Sequence, residues 1–418
     1  MRKIWTYLLI ILLTYSCSSN KKNLSYKIND TWSEYRNGNI EITQSLIKEI
    51  FKPNINNDRI YYLSLLVNAV KGDYQNAIGS FNKIDTSYIK YKSAVKVVAN
   101  IYEYHLLDLD KAFKLLKSID DPDTAFILTR ISRPFICEAD NTEIIPFNNE
   151  VKYAKYFPAI NGKINNREVV LRIDTGAPYL IMNKEHAIEF GIELQKSGIA
   201  MHGPNKVKSW KGIVNKLELG DSIILRNVPV VVLPTVNNII IGTNILECFY
   251  TTIDYPNSRL ILTPRTRKDL IENHKKILNS KKTVKVPFYL WSDHYMYTKG
   301  SFGKKDSLNF FVDSGLLAFY DNGSGIQQAP FTASKKSLIE WGYNENDLQK
   351  SRFFFTDSKL SLGNLTQDST IVWFNKNKQD KSSFGGVRID GLISHAFLSK
   401  YSWTIDFDKF EYVFGINE

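Results

Sequence analysis

Two triplets hold the residue types best suited to do chemistry: Asp174-Thr175-Gly176 and Asp313-Ser314-Gly315. Each follows an apolar run that reads as a strand, VVLRI before the first and NFFV before the second. A lone aspartate beside a small hydroxyl residue and a glycine is ordinary turn chemistry. Two of them, each opening the same downstream pattern, point to two carboxylates brought face to face. At ~3 Å two like charges cannot both ionise, so such a pair shares a proton. The ionised member can take a proton from a water while the protonated member hydrogen-bonds a carbonyl oxygen. The water then attacks directly, with no covalent intermediate, metal or cofactor.

The elements that must position these carboxylates recur. After Asp174 comes LELG, ending at Gly220; after Asp313 comes LSLG, ending at Gly363. The first segment closes with IIIGTNILECFYTTIDYPNSRLILTP and the second with GLISHAFLSKYSWTIDFDKFEYVFG. There Ile253-Asp254-Tyr255 falls on Ile405-Asp406-Phe407, and Leu246 on Leu398. From Asp174 to Asp254 is 80 residues and from Asp313 to Asp406 is 93, so the second segment carries about a dozen inserted residues. Similarity at this period indicates a duplicated domain rather than a short-repeat array. Runs of Val, Ile, Phe and Tyr punctuated by Gly, Asn, Asp and Pro predict strands. FPAINGKINNREVVLRI predicts a hairpin around an Asn-Gly turn and a polar loop, Tyr255-Pro256-Asn257-Ser258 a turn, and NILECFY and HAFLSKY short helices.

These blocks resemble the retropepsin-like and pepsin-like aspartic peptidases over roughly residues 150–264 and 283–416. The resemblance implies an all-β bilobal double domain, self-sufficient in one chain, with Asp174 and Asp313 as the catalytic dyad. It implies that Thr175 and Ser314 bond across to the opposite loop and that Gly176 and Gly315 let backbone approach the carboxylates. The segment AMHGPNKVKSW lies where the family has its substrate flap. His202, Gly203 and Trp210 would then meet a bound polypeptide, or belong to an ordinary exposed hairpin. Leu316 replaces the small residue seen at Ala177, and Ser394 stands where Gly242 stands in the first segment. A side chain at 394 is expected to strain the loop. The alternative to an aspartic endopeptidase is a catalytically silent peptide-binding or assembly lipoprotein using the same cleft or the helical repeats of residues 25–135.

Residues 1–16 read as a secretory signal: Arg2 and Lys3, the apolar LLIILL, then Thr14-Tyr15-Ser16-Cys17. The box resembles that of bacterial lipoproteins, which implies lipid on Cys17, a tether over 17–24 and an outer-membrane location on either face. The apolar run is too short for a permanent span. Cys137 and Cys248 are the other cysteines, and sequence leaves open whether they pair. The histidines show no paired metal-site spacing.

Residues 25–135 change period. GNIEITQSLIKEI, GDYQNAIGSFNKI and LDLDKAFKLLKSI place Ile50, Ile84 and Ile119 at intervals of 34 and 35. They resemble degenerate tetratricopeptide repeats, a helical domain that docks a protein partner or serves as a spacer. Residues 136–149 read as a linker and 150–264 and 283–418 as the two lobes. The connector 265–282 carries seven Lys/Arg against two acids. It reads as a solvated helix or a face for anionic lipid. The formal charge is +11 over 418 residues, yet no nucleic-acid reading motif accompanies it. The expected architecture is therefore multidomain: a helical repeat domain, then the double β domain.

Overall fold

The computed structural model describes residues 24–52, 56–152, 154, 156–202, 205–278, 282–321, 326–350, 353–368, 370–374 and 382–416. The signal segment and Cys17 lie outside the described residues. Two compact units emerge. One holds the residues up to Val98 together with Gly385–Arg388; the other holds Ala99–Phe384 and Ile389–Glu418.

The first unit is built on helices over 24–36, Ile40–Phe51, Asp58–Val70 and Tyr74–Phe81. Gly38 and Gly72, at φ of 71° and 75°, end one helix in the left-handed region that glycine enters without steric cost. Asn39 and Asp73 then open the next helix. Thr43 and Ala77, one turn further on, are fully buried, and Ile50 and Ile84 are buried beyond them.

The second unit begins with the same device. Leu107, at φ 53°, precedes Asp108, whose carboxylate caps the Leu109–Lys117 helix by accepting from Lys111 N at 3.1 Å. Ala112 and Ile119 are buried in turn. The Thr124–Ser132 helix follows, and Phe135 packs edge-on against Tyr179 at 5.4 Å. Residues 136–149, read from sequence as a linker, instead form two short strands. Ile136–Glu138 pairs with Ile223–Val232, and Glu143–Pro146 pairs with Arg259–Pro264. Their partners lie far along the chain, so local composition hides them.

A closed barrel follows. Its order is Ile223–Val232, Leu180–Met182, Ile239–Ile241, Arg167–Ile173, Ala159–Ile164 and Asn205–Leu219, which pairs back to Ile223–Val232. The hairpin turn falls at Asn165-Asn166, with φ of 48° and 66°, and not at Asn161-Gly162. A two-residue turn of this hand needs two positive φ values, which asparagine tolerates. Gly162 lies inside the strand because a Cβ there would come 2.7 Å from the Glu218 carbonyl oxygen.

A second, 14-stranded sheet ends in the order Lys282–Trp291, Glu411–Ile416, Ser402–Asp406, Phe249–Asp254, Arg259–Pro264 and Glu143–Pro146. Each triplet is flanked in sequence by three of these strands, one before it and two after it. Phe249–Asp254 and Ser402–Asp406 are buried on both faces, which suits their β-branched and aromatic residues. The predicted helices are short, Thr243–Leu246 and His395–Leu398, because the rest of each block enters these strands. The connector forms the Lys268–Leu278 helix, with Ile271 and His274 turned inward.

Candidate active site

The two triplets sit in matching frames. Arg167–Ile173 runs parallel to Ile239–Ile241, which is antiparallel to Leu180–Met182. Lys305–Val312 runs parallel to Gly391–Ile393, which is antiparallel to Phe331–Ala333. Asp174 N donates to Ile241 O and Asp313 N to Ile393 O, each at 3.0 Å. Each strand therefore delivers its aspartate at the sheet end, fixed by a neighbour on the far side of a crossover.

The hydroxyl residues interlock. Thr175 N donates to Ser314 Oγ at 3.0 Å, and Ser314 N donates to Thr175 Oγ1 at 3.1 Å. Thr175 Oγ1 donates to Val312 O at 3.2 Å and Ser314 Oγ to Ile173 O at 3.3 Å. Thr175 and Ser314 are completely buried, while Asp174, Gly176, Asp313 and Gly315 keep partial exposure. The loops thus lock through their middle residues, while the aspartates beside them stay partly exposed.

Those carboxyl groups are in hydrogen-bonding contact. Gly176 N donates to Asp174 Oδ1 at 2.8 Å and Gly315 N to Asp313 Oδ1 at 3.0 Å. A Cβ on Gly176 would lie 2.8 Å from the Asp313 oxygens, and one on Gly315 2.4 Å from Asp174 Oδ2. Glycine is required here for close approach. Burial pushes the Asp313 carboxyl well above its ordinary range, and the charge of Asp174 adds to the effect. Burial also raises Asp174, but its hydrogen bonds and the nearby His294 oppose the rise. The shared proton therefore favours Asp313 and the negative charge favours Asp174.

Two neighbours escaped the sequence reading. His294 is buried in the turn before the Tyr295–Phe302 strand, with its Nδ1 2.8 Å from Asp293 Oδ1. Asn244 Nδ2 fixes that turn by donating to Asp293 O at 3.1 Å. Tyr255 lies in the closing block where the other segment has Phe407. Burial, then the charges of Asp174 and Asp313, push its phenol up and keep it protonated. The Tyr-for-Phe difference was the available signal; for His294 there was none short of knowing which turn meets the loop.

The candidate flap is the Gln195–His202 and Asn205–Leu219 hairpin. His202 pairs with Asn205 at its end, and Gly203 lies outside the described residues. Trp210 stands at the root of the hairpin, opposite Lys196 and Val232, with Lys184 Nζ 3.5 Å above its ring. It is therefore remote in sequence from the tip.

Ser394 does not strain its loop. Gly242 cannot carry a side chain, since a Cβ would fall 1.6 Å from Pro178 O. The spacing that separates Asp174 from Tyr179 is lengthened by 12 residues between Asp313 and Pro330, which takes the matching hydrogen bond from Ser394 N at 3.0 Å. With that longer path, Ser394 Oγ donates to Ala329 O at 2.6 Å and accepts from Ala396 N at 3.2 Å. Leu316 takes the place of Ala177, its carbonyl accepting from His395 N at 3.4 Å as Ala177 O accepts from Thr243 N at 2.9 Å.

Residues 160–248 match the family model described as "gag-polyprotein putative aspartyl protease". This span covers most of the closed barrel and Asp174 and ends before Asp313. Among solved structures the chain is similar to a retropepsin-like aspartic protease from Rickettsia conorii, at 23% identity over 31% of this chain and 93% of that one, with a TM-score of 0.24. No curated protein matches the chain.

Proposed function

We propose that this chain is an aspartic endopeptidase whose dyad is Asp174 and Asp313, formed from two copies of one lobe. The observation that carries the reading is the reciprocal lock between Thr175 and Ser314, which leaves two carboxyl groups in contact and partly exposed. Asp174, ionised, takes a proton from a water between the carboxyls. That water attacks the scissile carbonyl while Asp313, protonated, hydrogen-bonds its oxygen. Asp174 passes that proton to the scissile nitrogen, the C–N bond breaks as the carbonyl re-forms, and two peptides leave with Asp174 ionised and Asp313 protonated again. The substrate is an extended polypeptide entering beneath the Gln195–Leu219 hairpin.

The N-terminal sequence supports a lipid anchor on Cys17 and a place in the bacterial cell envelope, in the outer membrane. The helical repeats are suited to holding a protein partner near the peptidase.

The test is cleavage of a diverse peptide mixture from acidic to neutral pH, read by mass spectrometry, beside Asp174→Asn and Asp313→Asn. Cleavage by the wild type alone is expected. Cleavage that persists in either folded variant would sink the dyad. Inertness of all three would point to a silent peptide-binding cleft.

A further inference from the structure

Beyond Cys17 the chain has two cysteines, 111 positions apart. Cys137 is the middle residue of the Ile136–Glu138 strand, opposite Leu225. Cys248 follows the Thr243–Leu246 helix, its N–H bonded to Ile245 O at 3.2 Å and its carbonyl to Arg265 N at 3.2 Å. Both side chains pack against the same core, and both keep partial exposure. The two side chains interact, which lowers the pKa of Cys137 and raises that of Cys248, while Cys248 Sγ–H donates to Asn244 O at 3.8 Å. Two cysteines brought together from such distant positions, each on regular backbone and open to an exchange partner, form a site with its own chemistry.

We propose that Cys137 and Cys248 form an intramolecular disulfide that clamps the support of the Asp174 loop. A disulfide-donating oxidoreductase or a small-molecule disulfide supplies the oxidant. Cys137, as thiolate, attacks one donor sulfur, and the other donor sulfur leaves and takes up the Cys137 proton. Cys248, as thiolate, then attacks Cys137 Sγ in the mixed disulfide and expels the second donor sulfur, which takes up the Cys248 proton. Two protein thiols are oxidised and one donor disulfide is reduced to two thiols. Cys137, whose pKa is lowered beside Cys248, is the better first nucleophile.

The location gives the bond a purpose. The helix that ends before Cys248 begins at Gly242, whose N–H donates to Tyr179 O at 2.8 Å. Thr243 N donates to Ala177 O at 2.9 Å, and Thr243 Oγ1 donates to Thr175 O at 2.8 Å. Tying Cys248 to the Ile136–Glu138 strand restrains this helix and, through Thr243, the loop that carries Asp174. The proposal does not depend on peptidase activity.

The test uses the full chain incubated with oxidised glutathione, quenched with acid, alkylated with a maleimide and mapped by mass spectrometry before and after reduction. A 137–248 cross-linked peptide is expected in the wild type, and a Cys248–glutathione adduct in Cys137→Ser. The oxidised wild type should melt several degrees above its reduced form, a gap absent from Cys137→Ser. Recovery of Cys137 and Cys248 from folded, oxidised wild type as separate maleimide or glutathione adducts would overturn the proposal.

Discussion

The hydroxyls of Thr252 and Thr404 meet at 2.6 Å where Phe249–Asp254 pairs with Ser402–Asp406. Aligning Asp254 with Asp406 makes these two threonines equivalent, and in the antiparallel register each is the other's partner. Thr251 then faces Ile405, and Ile253 faces Trp403. The arrangement is that of a strand pairing with its own image across a twofold axis. The reciprocal bonds of Thr175 and Ser314 mark a second point with the same symmetry. Register in the buried shared sheet therefore constrains the carboxyl groups, because a one-residue slip would turn every buried side chain to the wrong face.

The lock between the loops should be separable from the chemistry. Thr175→Val keeps shape but leaves Ser314 N without its acceptor in a fully buried place. The expected cost is about 1–3 kcal/mol in urea unfolding. Cleavage should fall as the loops lose register, and Thr175→Ser should restore both properties. An unchanged unfolding midpoint in Thr175→Val would show that the crossed bonds are dispensable.

Gly242 and Ser394 occupy matching places but should respond oppositely. Gly242→Ser meets the Pro178 carbonyl at an impossible distance, so the loop must move; the expected loss is on the order of 3 kcal/mol or more. Ser394→Gly gives up a helix cap and the bond to Ala329 O, costing about 1 kcal/mol. Thermal melts of the two variants check this, and similar losses would refute the role given to the inserted residues.

This contrast shows what the sequence could reveal. The triplets were legible because a strand, an aspartate, a small hydroxyl residue and a glycine are each demanded locally. The dozen extra residues were countable, but their position, between Asp313 and Pro330, required knowing which carbonyl each amide meets. Gly162 was misread as a turn residue because the Glu218 carbonyl that crowds it lies 56 positions away. The strands at 136–138 and 143–146 were missed because three or four residues carry too little alternation to outweigh their polar neighbours. His294 acts on Asp174 from the turn before a strand of the other sheet, a relation no local pattern encodes.

His294 should set the acid limb of the pH–rate profile. Its charge opposes the upward shift of Asp174, which must be ionised to accept a proton from water. Asp313 and Tyr255 also face Asp174, while Asp293 and Tyr295 contact the imidazole. In His294→Gln the Asp174 pKa rises, so the acid limb moves to higher pH. The alkaline limb, where the pair loses the proton favoured by Asp313, should move less. An unmoved acid limb in an active variant would remove His294 from the electrostatics of the dyad.

Stability should decline on the acid side through His274. This imidazole is completely buried beneath the shared sheet, with Nε2 2.7 Å from Thr252 Oγ1 and Nδ1 2.8 Å from Thr263 Oγ1. Burial, then the nearby Arg259 charge, push its pKa down to about 4. In the unfolded chain an imidazole titrates near ~6.5. Between those values the unfolded state binds the extra proton, so stability rises with pH and is lost as pH falls from about 6.5 towards 4. Two and a half pH units correspond to roughly 3 kcal/mol at full effect. Urea unfolding at pH 7 and pH 4.5 should show a steep loss in the wild type and a shallower one in His274→Gln, even if that variant is less stable at neutral pH. Equal slopes would mean that other groups dominate the acid sensitivity. The shared proton at the dyad favours acid while the sheet beneath it favours neutrality, so the working range should lie where the pair keeps one proton and His274 keeps none.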